Sequence, residues 1–183
     1  MVKLVEAMQS DPGWATPCLV LSDQASAPGV AKAEDLGVPS LVIEGTKRRS
    51  GRATFESAVH GALVERKADF ICLAGFMRIF SADFVGQWSG RLLNIHPSLL
   101  PRHKGLNTHA RAIEAGDAEH GCSVHQVTPA LDDGPVLGQA KIPVLCDDTP
   151  ETLAARVLVM EHKLYPAVLK RVVNGSSEPL YLP

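Results

Sequence analysis

The amino-acid sequence predicts an α/β fold with a doubly wound, mostly parallel sheet, a C-terminal antiparallel hairpin and a long C-terminal helix. Short apolar runs alternate with amphipathic segments, and this alternation predicts the sheet because parallel strands need crossover helices between them. Two later strand-like runs are separated by a short loop and are followed by one long amphipathic segment. That arrangement predicts the hairpin and the final helix.

The first half of the chain contains the strands and helices of the predicted parallel layer. Near-continuous apolar runs are typical of strands that are buried on both faces of a sheet. These runs cover residues 17–22, 41–43, 70–77 and 91–96. Helical spacing of apolar residues predicts crossover helices over residues 27–36 and 53–67.

The hairpin and the final helix are predicted in the second half. Residues 122–128 and 135–144 are strand-like, and the Pro-, Asp- and Gly-rich loop between them indicates an antiparallel pair. The final helix is predicted over residues 150–173. Its start is well marked, because Thr149 can cap it and Pro150 suits the first helical position.

Length, charge and cysteine usage limit the class of protein. The 183 residues are expected to form a single domain over 1–183, since a domain typically has about 100–200 residues. A formal net charge of -2 gives no basic excess, which argues against a nucleic-acid binder. No apolar run approaches the ~20 residues of a membrane span, and residues 1–8 are too mixed for a signal peptide. The four scattered cysteines lack a Cys-x-x-Cys pair, which indicates a reducing cytoplasm.

A polar pair at the end of a predicted strand is the first candidate for chemistry. Asn94 and His96 alternate with apolar neighbours, so both side chains are expected on one face at the carboxyl end of the strand. Open α/β sheets bind ligands at that end. An amide beside an imidazole suits stabilisation of an oxyanion, and histidine can move a proton near neutral pH. The alternative is a hydrogen-bonded polar pair without a catalytic role.

The loop at residues 131–135 is the second candidate. A carboxylate in this loop could hydrogen-bond His96, orient its ring and favour its charged form. The alternative is an ordinary hairpin turn, since Asp and Gly are common in turns for backbone reasons.

Other polar residues have weaker patterns. Histidine pairs such as His120 with His125 do not have the spacing of a zinc site, so we expect no metal ion. Arg52 and Arg78 could each clamp a carboxylate, and the alternative for each is a solvated surface side chain.

Four segments resemble the phosphoribosylglycinamide formyltransferase family, in the order and at the spacing of that family. They are residues 74–80, 92–101, 116–125 and 131–135. The Asn-x-His-x-Ser-Leu-Leu-Pro core of the second segment is shared by several formyl-transfer and formyl-hydrolysis enzymes. The glycinamide branch is indicated by His-Pro-Ser, by Gly-Leu-Asn-Thr-His and by Glu-His-Gly. The likeness extends from about residue 17 to about residue 166.

The resemblance implies direct transfer of a formyl group from 10-formyltetrahydrofolate, a co-substrate, to the amine of glycinamide ribonucleotide in de novo purine biosynthesis. By the same resemblance, Asn94 and protonated His96 would donate to the oxyanion of a tetrahedral intermediate, and His96 would be the proton donor. Asp132 would favour the charged form of His96 and help to relay protons. The folate would be held by Arg52, Met77, Arg78, Ile79, Phe80, Asn94, Thr128 and Leu131. The ribonucleotide would be held by Glu161, Pro97 and Gly105.

One departure from the family concerns the beginning of the sequence. The family opens with a strand and a Gly-x-Gly-Ser-Asn loop, whose amides hold the substrate phosphate at a helix N-terminus. This sequence begins within a predicted helix that has Val2, Leu4, Val5 and Met8 on one face. We therefore expect a domain that is truncated at its N-terminus relative to the family.

Alternatives to formyl transfer stay open at this point. One is hydrolysis of formyltetrahydrofolate by water, which would use the same three residues, and another is folate binding without catalysis. The sequence predicts small-molecule substrates and no nucleic-acid or membrane partner, and the chain could form a homodimer.

Overall fold

The computed structural model describes residues 1–45 and 51–183, in two compact units of residues 1–69 and 70–183. The first unit has the elements α1 (Val2–Ser10), β1 (Val20–Ser22), α2 (Pro28–Asp35), β2 (Ser40–Val42) and α3 (Arg52–Glu65). Strands β1 and β2 are parallel. Val5, Ala33 and Val38 form a small buried core in this unit, which joins α1 to α2. The expectation of a single domain over residues 1–183 stays a prediction.

The second unit is built around a five-stranded sheet in the order β3-β4-β5-β6-β7. Its elements are β3 (Ile71–Leu73), α4 (Ala82–Gln87), β4 (Leu92–His96), α5 (Thr108–Glu114), β5 (Glu119–Gln126), β6 (Val136–Pro143), α6 (Pro150–Val173) and β7 (Leu180–Leu182). The pairs β3–β4 and β6–β7 are parallel. The pairs β4–β5 and β5–β6 are antiparallel, so the predicted hairpin is confirmed.

Helix α6 covers strands β5 and β6 and supplies much of the core of this unit. Thr149 caps its start, since its side chain accepts a hydrogen bond from the amide of Thr152 and the Thr152 side chain accepts one in return. The buried face includes Leu153, Val157 and Leu164. Apolar burial on this scale stabilises a helix more than its intrinsic propensity does.

The α/β fold predicted from the sequence is confirmed. Helix α6 has the predicted bounds, and a strand overlaps each predicted run, although β5 begins three residues before its run. The run at residues 70–77 is the main difference, because its strand ends at Leu73 and the chain turns at Gly75, whose φ is +69°. The remainder of this run is a loop that lines a cleft described below. Helices α4 and α5 and strand β7 were not predicted.

None of the helices in the described part of the chain is both long enough and apolar enough to cross a membrane.

Candidate active site

The carboxyl end of β4 presents the polar pair that the sequence singles out. Asn94 and His96 are separated by one residue along β4, and this spacing puts their side chains on one face of the sheet. β5 runs antiparallel beside β4 and pairs Asn94 with His125 in register. The loop between β5 and β6 then carries Asp132 back toward the end of β4, so three separate segments contribute to one place.

His96 and Asp132 form the central contact of the site. Nδ1 of His96 lies 3.4 Å from Oδ2 of Asp132, and the two side chains are 8% and 9% exposed. Nε2 of His96 lies 3.1 Å from the carbonyl oxygen of His103, which can only accept a hydrogen bond. Both ring nitrogens of His96 therefore face oxygen atoms that accept hydrogen bonds.

The backbone fixes the position of Asp132. Its φ is +47°, in the left-handed region that Asp tolerates better than most residues. Its Oδ2 accepts a hydrogen bond from the amide of Gly105 at 2.9 Å. Two residues later, Gly134 packs so tightly that a Cβ there would overlap the carbonyl oxygen of Gln126. Only glycine therefore allows the loop to close on the end of β5 in this way.

His125 links Asn94 to the loop. Its Nε2 lies 3.3 Å from Nδ2 of Asn94 and 3.7 Å from Oδ1 of Asp132. Its Nδ1 donates to the carbonyl oxygen of Gln126 at 2.9 Å. Burial lowers the pKa of His125, so its ring is neutral near pH 7.

A cleft of about 100 Å³ opens beside these residues. Its wall combines apolar side chains with the polar loop, which is the usual composition of a small-molecule site. The lining residues are Leu73, Phe76, Arg78, Ile79, Phe80, Val85, Asn94, His125, Val127, Thr128, Pro129, Ala130, Leu131 and Asp132.

The structure brings together the three residues that the sequence analysis assigns to catalysis. Asn94 and Asp132 line the cleft, and His96 contacts Asp132 directly. Five of the residues assigned to folate binding besides Asn94 also line it, namely Arg78, Ile79, Phe80, Thr128 and Leu131. Their roles stay predictions, since geometry alone does not show what they bind.

The other assigned residues are not among those that line the cleft. Arg52 is in the unit formed by residues 1–69, where its Nε donates to Oε1 of Glu56 at 3.1 Å. Met77 is 78% exposed and is not among the lining residues. Pro97 follows His96 directly. Glu161 is half-buried on α6, and this burial raises the pKa of its carboxyl group.

His125 is the residue of this site that the sequence analysis missed. The sequence shows it only as one histidine of a poorly spaced pair. Its contact with Asn94 depends on the register between β4 and β5, which local patterns do not set. The alternation of side chains along β5 indicates only which face of the sheet His125 lies on.

A second group of histidines lies in the same unit. Nε2 of His103 donates to Oδ2 of Asp117 at 2.7 Å. Nε2 of His120 and Nδ1 of His109 share a hydrogen bond at 3.1 Å. Burial lowers the pKa of His120 to about 4, and the neighbouring His109 acts in the same direction. Among the residues placed by the structure, no three His, Cys, Asp or Glu side chains are grouped as metal ligands.

Comparison with known proteins adds an independent line of information. The family model described as formyl transferase matches residues 1–169. The trifunctional purine biosynthetic protein adenosine-3 of Gallus gallus is 44% identical over 173 residues, which are 94% of this chain and 17% of that protein. The chain thus spans about 17% of the length of this relative.

Two further relatives are closer to this chain in length. The phosphoribosylglycinamide formyltransferase of Escherichia coli (strain K12) is 41% identical over 172 residues, which cover 94% of this chain and 81% of the relative. The crystal structure of the protein of that name from Brucella melitensis has a TM-score of 0.89 and 48% identity, and covers 96% of this chain and 90% of that one. The fold therefore has a counterpart in a solved structure.

Proposed function

The chain belongs to the formyl transferase family, and from this premise we propose that it transfers a formyl group from 10-formyltetrahydrofolate to the amine of glycinamide ribonucleotide, in de novo purine biosynthesis. The single observation that carries the proposal is the contact of His96 with Asp132, 3.4 Å apart, beside Asn94 in the wall of a cleft. In this proposal the Asn94 amide and the protonated His96 ring are the two donors for the formyl oxygen, and the Asp132 carboxylate is the acceptor that pairs with His96.

The cleft supports folate binding by its chemistry. A pterin ring is flat and carries polar atoms at its edge, so it needs apolar walls and a few directed hydrogen bonds. Phe80 and Ile79 supply apolar wall, and the backbone of residues 127–132 supplies polar groups. In this proposal the folate contacts are Arg52, Met77, Arg78, Ile79, Phe80, Asn94, Thr128 and Leu131.

Asn94 and His96 would stabilise the charge that develops on the formyl oxygen. Attack of the amine forms a carbon–nitrogen bond and places a negative charge on that oxygen. The amide of Asn94 is held by its contact with His125, and the ring of His96 is held by Asp132. A donor that is held in place in this way, as the Asn94 amide is, lowers the barrier because it needs little reorganisation during the reaction.

His96 and Asp132 would handle the single proton that changes place. The attacking amine loses a proton, the departing nitrogen of the folate gains one, and the protein ends the cycle unchanged. The carboxylate of Asp132 stabilises the charged form of His96. Nε2 of His96 donates to the His103 carbonyl in this structure, so transfer from that nitrogen requires the hydrogen bond to be exchanged for one to substrate.

Three residues are proposed to hold the ribonucleotide. Gly105 contacts the site through its amide, which donates to Asp132. Pro97 directly follows His96, and Glu161 provides a carboxyl group that can accept hydrogen bonds from sugar hydroxyls.

The test is turnover by the purified 183-residue chain with both substrates. Formation of tetrahydrofolate that depends on the amine supports the proposal, and His96→Ala should remove nearly all of it. Tetrahydrofolate released without the amine would instead indicate hydrolysis. Binding of the folate in calorimetry without any product would indicate a binding protein without catalysis.

We also propose a cytoplasmic location and a homodimer. All four cysteines are free thiols, which suits a reducing compartment. Among the described residues β7 is the last strand of its sheet and pairs only with β6, so a second copy could pair with this edge. Sedimentation velocity would show a dimer, and a monomer at micromolar concentration would contradict this proposal.

A further inference from the structure

A buried histidine outside the three residues assigned to catalysis holds the amide of Asn94. Antiparallel pairing places His125 opposite Asn94, and the His125 side chain is 3% exposed. Nδ2 of Asn94 lies 3.3 Å from Nε2 of His125. The contact is therefore shielded from water, where a hydrogen bond is costly to break.

The backbone determines which nitrogen of His125 carries the proton. Nδ1 lies 2.9 Å from the carbonyl oxygen of Gln126, and a carbonyl oxygen only accepts, so Nδ1 carries the hydrogen. Burial keeps the ring neutral near pH 7, because it lowers the pKa of His125. Nε2 is then left with a free lone pair.

That lone pair sets the orientation of the Asn94 amide. Nδ2 can face Nε2 because it donates, whereas Oδ1 in the same place would bring two acceptors together. Asp132 lies 3.7 Å from the same nitrogen, so a proton on Nε2 would pair His125 with Asp132 and remove the acceptor from Asn94. The neutral ring with its hydrogen on Nδ1 satisfies both neighbours at once.

We propose that His125 is a positioning residue for formyl transfer: its Nε2 holds the Asn94 amide in one of two flipped orientations, with the second N–H left for the oxyanion. This inference rests on the proposed function, which it deepens. His125 acts through Asn94 rather than on the reacting atoms. A freely flipping amide would present an oxygen to a developing negative charge for part of the time.

Two conservative variants separate the two hydrogen bonds of the ring. His125→Asn retains a group near Nδ1 that can donate to the Gln126 carbonyl, and it lacks the acceptor for Asn94. His125→Gln places an amide oxygen near Nε2, where it can accept from Asn94. His125→Asn should lower kcat roughly 10- to 100-fold, as expected when a reacting group is misoriented. His125→Gln should recover most of that loss, and the Kd for 10-formyltetrahydrofolate should stay near that of the wild type in both.

Equal activity of the Asn and Gln variants would overturn the proposal, since a packing role does not distinguish the two nitrogens. A double variant gives a second criterion. In an Asn94→Ala background, His125→Asn should cause no further loss of kcat, because the group that it positions is already gone. If the loss of kcat in the double variant equals the product of the losses in the two single variants, His125 acts independently of Asn94, and the proposal is wrong.

Nitrogen-15 NMR of the wild-type chain provides a readout that does not need turnover. The proposal requires the His125 hydrogen on Nδ1 and a change in the Asn94 side-chain amide signal in His125→Asn but not in His125→Gln. A hydrogen on Nε2 instead would overturn it. If the wild type forms no tetrahydrofolate, the proposed function fails, and these signals still decide whether His125 holds the amide.

Discussion

Among the His–Asp contacts of the unit formed by residues 70–183, the shortest is not in the cleft. Nε2 of His103 lies 2.7 Å from Asp117, whereas Nδ1 of His96 lies 3.4 Å from Asp132. Both pairs are largely buried. Asp132 lines the cleft beside Asn94, and Asp117 lies in the turn between α5 and β5.

The length of a His–Asp contact does not by itself distinguish the proposed catalytic pair from the other one. The His103–Asp117 contact has the geometry of a structural hydrogen bond that ties a loop to the start of β5. It holds the pKa of Asp117 below its usual range, through the hydrogen bond that His103 donates. The His96–Asp132 contact is longer, but it is combined with an amide donor and a place for a ligand. Function therefore depends on what surrounds a pair.

The largest expected effect comes from matched changes of the two carboxylates. Asp132→Asn should lower kcat about 1000-fold, within the range for loss of general acid–base catalysis, because the charged form of His96 loses its partner. Asp117→Asn keeps an acceptor for His103 and should leave kcat close to that of the wild type. Steady-state formation of tetrahydrofolate measures both. Similar losses in the two variants would remove the distinction between the pairs.

Asn94→Ala is expected to have the next largest effect. Loss of one oxyanion donor should lower kcat about 100-fold. Calorimetry should show that the folate still binds, since Asn94 is one of many residues in the wall of the cleft. If the variant instead binds the folate weakly but keeps the kcat of the wild type, Asn94 contributes to substrate binding and not to stabilisation of the transition state.

The second histidine group predicts a pH dependence of stability. The pKa of His120 is lowered to about 4, below its ordinary value of 6.5. Between these values the unfolded chain binds a proton that the folded chain does not, so stability is lost as the pH falls through this window. The loss due to His120 should be on the order of 2 kcal/mol between pH 7 and pH 4.

Denaturant unfolding at pH 7, 6, 5 and 4 would measure this loss, with His120→Gln as the control. The free energy of unfolding of the variant should decline less over the same window, because glutamine does not titrate. A parallel decline in the two proteins would assign the pH dependence to other groups, such as His109, whose pKa burial also lowers.

The smallest effect concerns the wall of the cleft. Leu131 is 55% exposed and lines the cleft, so Leu131→Ala should raise the KM for the formyl donor about 5-fold, as for the loss of part of an apolar contact. Leu145 is 47% exposed and lies outside the lining, which makes Leu145→Ala the matched control. An equal KM in the two variants would count against folate contact at Leu131.

Elements that carry an apolar run or a well-marked helix start could be predicted from the sequence, and short elements without such a signal could not. Helix α6 carries its own start signal at Thr149 and Pro150 and repeats its apolar pattern over 24 residues. Helix α4 has only 6 residues, although Ser81 caps it by accepting from the amide of Phe84. β7 has 3 residues and is flanked by prolines, so no extended apolar run marks it.

The candidate site was predictable where the backbone pattern is local. Asn94 and His96 follow from alternation along one strand. The placement of Asp132 was implied by the family resemblance. The local sequence does not single it out, because Asp is common in turns for backbone reasons. His125 was out of reach, because its partner depends on which residue of β4 faces it across the sheet. Long-range register is a property of the folded sheet, and local propensity does not contain it.

The closure of the loop on Gly134 has a thermodynamic consequence for the site. Asp132 is held by its backbone and by the Gly105 amide before any ligand is present. The conformational entropy of this carboxylate is therefore lost when the chain folds. Binding of a ligand does not have to order it again, so this entropy does not weaken the binding free energy. Changes in this turn should consequently alter how rigidly the carboxylate is presented, even where its charge and its nearest neighbours stay the same.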